Sequence, residues 1–143
     1  MKKKSKKPTK AELIQLLKNE QTADFNRIRP KGKIDLSGTN LSGLNLSWTN
    51  LSEADLTGTI LSGTILTEAI LSGAILFRAN LLEADLSGTK LSAKTNLSGA
   101  DLSEAKLPQP EELAKANLWG VCNLPPEIQK EVLVHLIESW RKK

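Results

Sequence analysis

Leu stands at positions 36, 41, 46, 51, 56, 61, 66, 71, 76, 81, 86 and 91, twelve in succession at a spacing of five, and the series resumes after one extra residue at Leu97, Leu102 and Leu107. Two positions before each Leu comes a mostly small residue, Ala or Thr in nearly every case, with Ile34 and Leu44 as the large exceptions. Ser or Thr usually follows the Leu, and then often Gly, as at Gly38, Gly43, Gly58 and Gly63. This spacing fits neither common period. On a helix five residues turn about 500°, so successive Leu would drift by about 140° and form no stripe. A long flat strand would need an apolar residue at every second position. The small residue and the Leu, two apart, can both face one side of a short extended segment. Ser-Gly then supplies a bend. A chain that bends the same way every five residues must coil into a solenoid. The period alone leaves the number of faces per coil open.

The pentapeptides ADLTG, ANLLE, ADLSG, ADLSE and TNLSE resemble the pentapeptide-repeat family, whose motif is A(D/N)LXX, and the layout of a helical start followed by such repeats resembles cyanobacterial members. The resemblance covers residues 34–107. It implies an all-β solenoid, a right-handed quadrilateral β-helix of about four coils with four pentapeptides per coil, in which Leu and the small residue two before it face inward and the other three positions outward. Residues twenty apart then stack, with Leu36, Leu56 and Leu76 in one column. The extra residue among Ser92, Ala93, Lys94 and Thr95 reads as a bulged corner that keeps the phase of later faces.

A solenoid exposes apolar core and unpaired strand groups at both ends, so both need covers. Thr9 and Glu12 form a capping-box pattern, followed by an apolar helical face of Leu13, Leu16 and Leu17. Residues 22–29 predict a second short helix, with a degenerate first repeat at Ala23-Asp24-Phe25 as the competing reading. Beyond Leu107 the prolines Pro108 and Pro110 interrupt the pattern. Ala116-Asn117-Leu118 resumes it, and Cys122-Asn123-Leu124 reads as its last trace, with Cys122 buried in the small inward slot. Pro125-Pro126 opens a terminal helix, with Ile128, Val132, Leu136 and Trp140 as its inward stripe, widened by Leu133 and Ile137, and His135 on its solvent side. The resulting division is a disordered basic tail over 1–9, a helical N-terminal cap over 10–33, the solenoid over 34–124 (regular to 107, degenerate over 108–124) and a C-terminal helix over 125–143. That last helix either closes the solenoid or makes a contact with a second copy or a partner.

Composition narrows the chemistry. His135 is the only imidazole and Cys122 the only thiol in 143 residues, which excludes a multi-His metal site, a disulfide framework and Cys-coordinated zinc. Ser recurs as a corner residue, never beside a His, and the acids are scattered, so no catalytic, cofactor-binding or metal-binding residues are expected and the chain is read as no enzyme. No apolar run reaches the length of a membrane span. No apolar signal core follows the basic start, so a cytoplasmic location is expected. The net charge of +4 is unevenly spread: residues 1–33 hold eleven Lys/Arg and three acids, residues 34–107 four and eight, and residues 108–143 five and five. Lys2, Lys3, Lys4, Lys6, Lys7 and Lys10 form a basic arm that reads as a solvated tail, or as a docking arm for nucleic acid or an anionic membrane.

Function is expected on the outside, because the interior is packed. The position before Leu is Asn40, Asn45, Asn50 and Asp55 in the first coil, then Ile60, Ile65, Ile70 and Ile75, then Asn80 and Asp85. Four consecutive outward positions have turned apolar. With Phe77 and Leu82 after Leu, and Trp48 on an earlier corner, they are the candidate interaction surface. The expected function is a non-catalytic scaffold or interaction module with a protein partner, or a homodimer through the Ile belt or the C-terminal helix. The alternatives are interaction with a type II topoisomerase (gyrase) by DNA mimicry, which some members of the family perform, and docking to an anionic surface through the Lys arm.

Overall fold

The structure, a computed structural model, describes residues 6–142. Its elements in chain order are α1 (Lys10–Lys18), α2 (Thr22–Ile28), β1 (Ile34–Asp35), β2 (Ala54–Asp55), α3 (Pro110–Leu113) and α4 (Pro126–Arg141). Most of the chain between β1 and α3 is a coil held by single-residue parallel bridges rather than by long strands. β1 pairs with β2 in parallel, Asp35 opposite Asp55. Further bridges join Asn40 to Ile60, Asn45 to Ile65 and Asn50 to Ile70, each twenty residues apart. Four faces therefore stack in register, one pentapeptide per face. Continuing the bridges gives five levels on the first face (Asp35, Asp55, Ile75, Asn96, Asn117) and five on the second (Asn40, Ile60, Asn80, Asp101, Cys122).

Each level is joined to the next by two backbone bonds along a face and a third at the corner that follows. On the second face Leu41 N–H donates to the Ile60 carbonyl at 2.9 Å, and Ile60 N–H donates to the Thr39 carbonyl at 3.0 Å. Corners are tight turns closed across four residues, as where Thr59 N–H donates to the Leu56 carbonyl at 3.0 Å. The second central residue of the regular turns has a positive φ, 61° at Gly58, which is the requirement of a type II turn and the reason Gly recurs two positions after Leu.

The interior is the expected stack. Leu36 through Leu81 are fully buried at every fifth position, and Ala54, Ala69, Ala74, Ala79 and Ala84 fill the alternate slot. Thr shares that slot because its hydroxyl finds a backbone acceptor: Thr59 donates to the Leu36 carbonyl at 3.1 Å, Thr64 to Leu41 at 2.9 Å and Thr95 to Leu71 at 3.0 Å. A buried hydroxyl so paired avoids the cost of desolvation without a partner.

The coil departs from twenty residues twice. The step from Ile75 to Asn96 is twenty-one, and the extra residue sits in a corner where Ser92 N–H donates to Thr95 Oγ1 at 3.0 Å. The phase is kept, since Asn80 meets Asp101 and Asp85 meets Lys106. The step from Asn96 to Asn117 is again twenty-one, and here α3 replaces the pentapeptide of the fourth face. Leu113 of α3 is fully buried among the core leucines. The ladder resumes with Cys122 opposite Asp101. This corrects the expectation for Cys122. Counting five from Asn117 puts Val121 in the small slot and Cys122 in the outward position before the Leu slot, so the thiol is exposed.

Helices flank the coil at both ends. α1 begins at a full capping box, with Glu12 N–H donating to Thr9 Oγ1 at 3.2 Å and Thr9 N–H to Glu12 Oε2 at 2.6 Å. Leu13 and Leu17 of α1 and the fully buried Phe25 of α2 cover the first coil, so residues 22–28 are helix and not a degenerate repeat. At the other end α4 packs against α3, but by a different stripe from the expected one. Val132 is buried and Ile128 and His135 are partly buried, whereas Leu133, Leu136, Ile137 and Trp140 are exposed. The face meeting the body is the 128–132–135 line. The opposite line of Leu133, Leu136, Ile137 and Trp140 points to solvent, which reverses the expectation for Leu136, Trp140 and His135.

Candidate interaction surfaces

The outward position before Leu has a definite local job. Where it is Asn or Asp, its side-chain oxygen accepts the N–H two residues on: Ser42 N–H to Asn40 Oδ1 at 3.0 Å, Ser52 N–H to Asn50 Oδ1 at 3.1 Å, Leu82 N–H to Asn80 Oδ1 at 3.0 Å, Ser103 N–H to Asp101 Oδ1 at 3.0 Å. This is an Asx turn, which braces each corner from outside. Ile60, Ile65, Ile70 and Ile75 have no such oxygen, so one full turn of the coil, from the second face round to the first face of the next level, lacks the brace. The structure stacks each Ile between polar residues of neighbouring levels: Ile60 lies between Asn40 and Asn80, and Ile65 between Asn45 and Asp85.

The belt is not uniform. Ile60 and Ile65, on adjacent faces, are 39% and 41% exposed, while Ile70 and Ile75 are half-buried. Leu82 is partly buried on the corner between the second and third faces, one level beyond Ile60 and Ile65. Trp48 is 66% exposed on the next corner round and holds φ of 63° at the place where most corners carry Gly. Phe77 is partly buried, and the Arg78 guanidinium lies 5.0 Å from its ring centre. The seven residues singled out in the sequence thus divide. Ile60, Ile65, Leu82 and Trp48 follow one another around the second-to-third-face side, Ile70 stands on the fourth face, and Ile75 and Phe77 belong to the first face and its corner.

Three acids of the coil are paired with Lys. Asp35 meets Lys10 at 3.1 Å, Asp55 meets Lys33 at 3.2 Å and Asp85 meets Lys106 at 3.4 Å. The Ser37 hydroxyl and N–H, then Lys10, hold the Asp35 carboxyl down at about 2. Hydrogen bonds from the Ser103 and Asn123 side chains likewise lower Asp101.

Of the basic arm, Lys2, Lys3 and Lys4 lie outside the described residues. Lys10 is tied down by Asp35 and the Ser37 carbonyl. Lys6 and Lys7 line a cavity of about 930 Å³ beside α1 and α2, together with Pro8, Leu16, Ile28 and Lys31 among others. Spacing could not reveal that cavity, since its lining comes from three separate stretches of the chain. Among the described residues no His/Cys/Asp/Glu cluster could hold a metal ion. Nor, among the described residues, is any helix long and apolar enough to cross a membrane.

A stacked coil of four-sided turns, with a packed interior and variation confined to its skin, is a β-solenoid. The family profile "Pentapeptide repeats" matches eight copies, over residues 33–67 and 61–92. The chain is similar to the pentapeptide repeat protein Rfr23 from the cyanobacterium Cyanothece 51142, 40% identical over 61% of this chain and 54% of that one, with a TM-score of 0.50. It is 33% identical to alr5209, a pentapeptide repeat protein from Nostoc Pcc 7120, over 76% of this chain and 93% of that one, with a TM-score of 0.29. QnrB1, a plasmid-mediated fluoroquinolone resistance protein, is 18% identical over 73% of this chain and 63% of that one, with a TM-score of 0.38. No curated protein matches. The chain spans about half the length of Rfr23. It belongs to the pentapeptide-repeat family.

Proposed function

We propose that the chain is a non-catalytic protein-interaction module of the cytoplasm, built on a right-handed four-sided coil, and that it meets its partner on the side carrying Ile60, Ile65, Leu82 and Trp48. The observation that carries this reading is the Ile belt. Four consecutive positions give up a corner-bracing hydrogen bond, each worth about 0.5–1.5 kcal/mol, and two of them expose aliphatic surface instead. Trp48 adds to it as a large exposed aromatic at a corner position that elsewhere carries Gly, Glu or Arg. Trp is also an enriched anchor in protein interfaces.

The gyrase-directed reading is less favoured. A DNA-like surface needs free negative charge in rows, and the ladder carries acids on two successive levels only at Asp35 and Asp55, both paired with Lys. Lys106 and Lys90 put positive charge on the third and fourth faces. The double variant Ile60→Asn/Ile65→Asn tests the preferred reading. Affinity capture from the native cell, followed by a binding titration with the recovered protein, should show loss of the partner by about tenfold or more with folding intact. Unchanged affinity would reject this face.

A further inference from the structure

We infer that the groove between residues 6–8, α1 and α2 is a second binding site, and that it takes an acidic peptide segment carrying apolar side chains, supplied by a protein partner. The inference rests on the interaction-module reading but uses a different surface from the Ile belt. The groove has a volume of about 930 Å³, within the range of sites that hold a drug-sized ligand or a few residues of chain. Its lining divides by chemistry. Pro8, Leu16, Ile28 and Pro30 give an apolar part, and Lys6, Lys7, Arg27 and Lys31 a cationic one.

The charges there are unbalanced. Glu12 is the only acid in the lining, and its carboxylate is already engaged by the Thr9 N–H in the α1 capping box. Arg27 is paired with Asp24 at 2.8 Å. Among the described residues Lys6, Lys7 and Lys31 form no ion pair. Three ammonium groups beside an apolar surface are complementary to carboxylates that alternate with aliphatic side chains.

Two other anionic partners fit less well. A bilayer presents a broad surface and cannot enter a concave groove. A nucleic-acid strand would want an aromatic platform for its bases, and the lining contains none. Neither would use the prolines and aliphatics.

The test uses the full chain and a fluorescein-labelled octapeptide alternating Glu and Leu, followed by anisotropy. Saturable binding in the range of about 10–100 μM is expected, weakening as salt is raised. The Lys-Leu counterpart should not bind. Octaglutamate should bind at least about fivefold more weakly, because it leaves the apolar lining unused. The charge reversal Lys7→Glu/Lys31→Glu should weaken the Glu-Leu peptide by about tenfold or more. These residues are exposed, so its thermal melt should match the parent's. If it does not, Lys7→Gln/Lys31→Gln is read instead, with a loss of about threefold or more expected.

Failure of the Glu-Leu peptide to bind at about 1 mM, or equal binding by both charge variants, or by octaglutamate, would overturn the proposal. So would tighter binding of phosphatidylserine vesicles or of a single-stranded oligothymidylate than of the peptide. Ile60→Asn/Ile65→Asn should leave peptide binding unchanged, which separates this site from the belt: either can fail while the other stands.

Discussion

At the residue scale the outward position before Leu is where this chain trades fold for surface. In most repeats Asn or Asp there accepts the N–H two residues on, and over one turn of the coil Ile does not. Restoring Asn at 60 and 65 should therefore stabilise the protein even as it weakens the proposed contact. A gain of about 1–2 kcal/mol for the pair is expected, seen as a rise of several degrees in Tm. A fall in Tm would mean that the Ile side chains cover the coil more than they advertise it. The same position sets the acid response. Asp35 is held at about 2 by Ser37 and Lys10, against about 3.9 in an unfolded chain. A carboxyl lowered on folding contributes stability that is complete above the unfolded value and is lost as pH falls through the folded one. Its share should therefore vanish between about pH 4 and pH 2. Ser37→Ala should raise the Asp35 value toward the ordinary carboxylate range, which NMR titration of that carboxyl reads directly. No shift would show that Lys10 and the Ser37 N–H suffice.

At the element scale the recurrent problem is the end of a ladder, and side chains solve it by standing in for missing backbone. At the start, Asn45 N–H donates to Glu20 Oε1 at 2.8 Å and Asn50 N–H to Asn26 Oδ1 at 2.7 Å. Both would bond to a preceding coil if one existed. On the fourth face Leu51 N–H reaches the Ile70 carbonyl and Leu71 N–H the Lys90 carbonyl, both at 2.9 Å. Leu91 finds α3 in place of a repeat, and its N–H donates to Glu112 Oε1 at 2.6 Å. Glu112 is held in turn by Lys115. Glu112→Ala should leave that N–H without a protein acceptor, at a cost of about 1–3 kcal/mol. Amide exchange at Leu91 should accelerate far more than at Leu71, and equal protection at both would refute this role. The capping box of α1 and the proline start of α4 were legible from local spacing. α3 was not, because its four residues look like an interruption until the coil above shows which slot Leu113 must fill.

At the scale of the whole molecule the tryptophans are displaced outward. A core of stacked Leu, Ala and Thr leaves little width for an indole. Trp48, Trp119 and Trp140 are 66%, 80% and 75% exposed. The native protein should therefore show long-wavelength emission of hydrated indole, with all three Trp quenched by acrylamide. A blue-shifted, protected fraction in dilute solution would reveal self-association covering one of them. The α4 stripe of Leu133, Leu136, Ile137 and Trp140 is the apolar face most open to that outcome. The helix itself was legible from its period. Which side meets the body was not, because the apolar residues 128, 132, 133, 136, 137 and 140 spread over both faces.

The sequence by itself determined the coil. Its information is local and repeated: every fifth residue states which side is inside, so neighbouring repeats reinforce one another and one extra residue at a corner is absorbed without loss of phase. Only the tertiary structure decided what happens where repetition stops. It put Cys122 outside by fixing the register through Asp101, and turned the Leu136 and Trp140 side of α4 to solvent. It made Ile60 and Ile65 more open than Ile70 and Ile75, and gathered Lys6, Lys7 and Lys31 around an apolar groove. Each of these depends on contacts between segments far apart in the chain, and a five-residue period records nothing about such contacts.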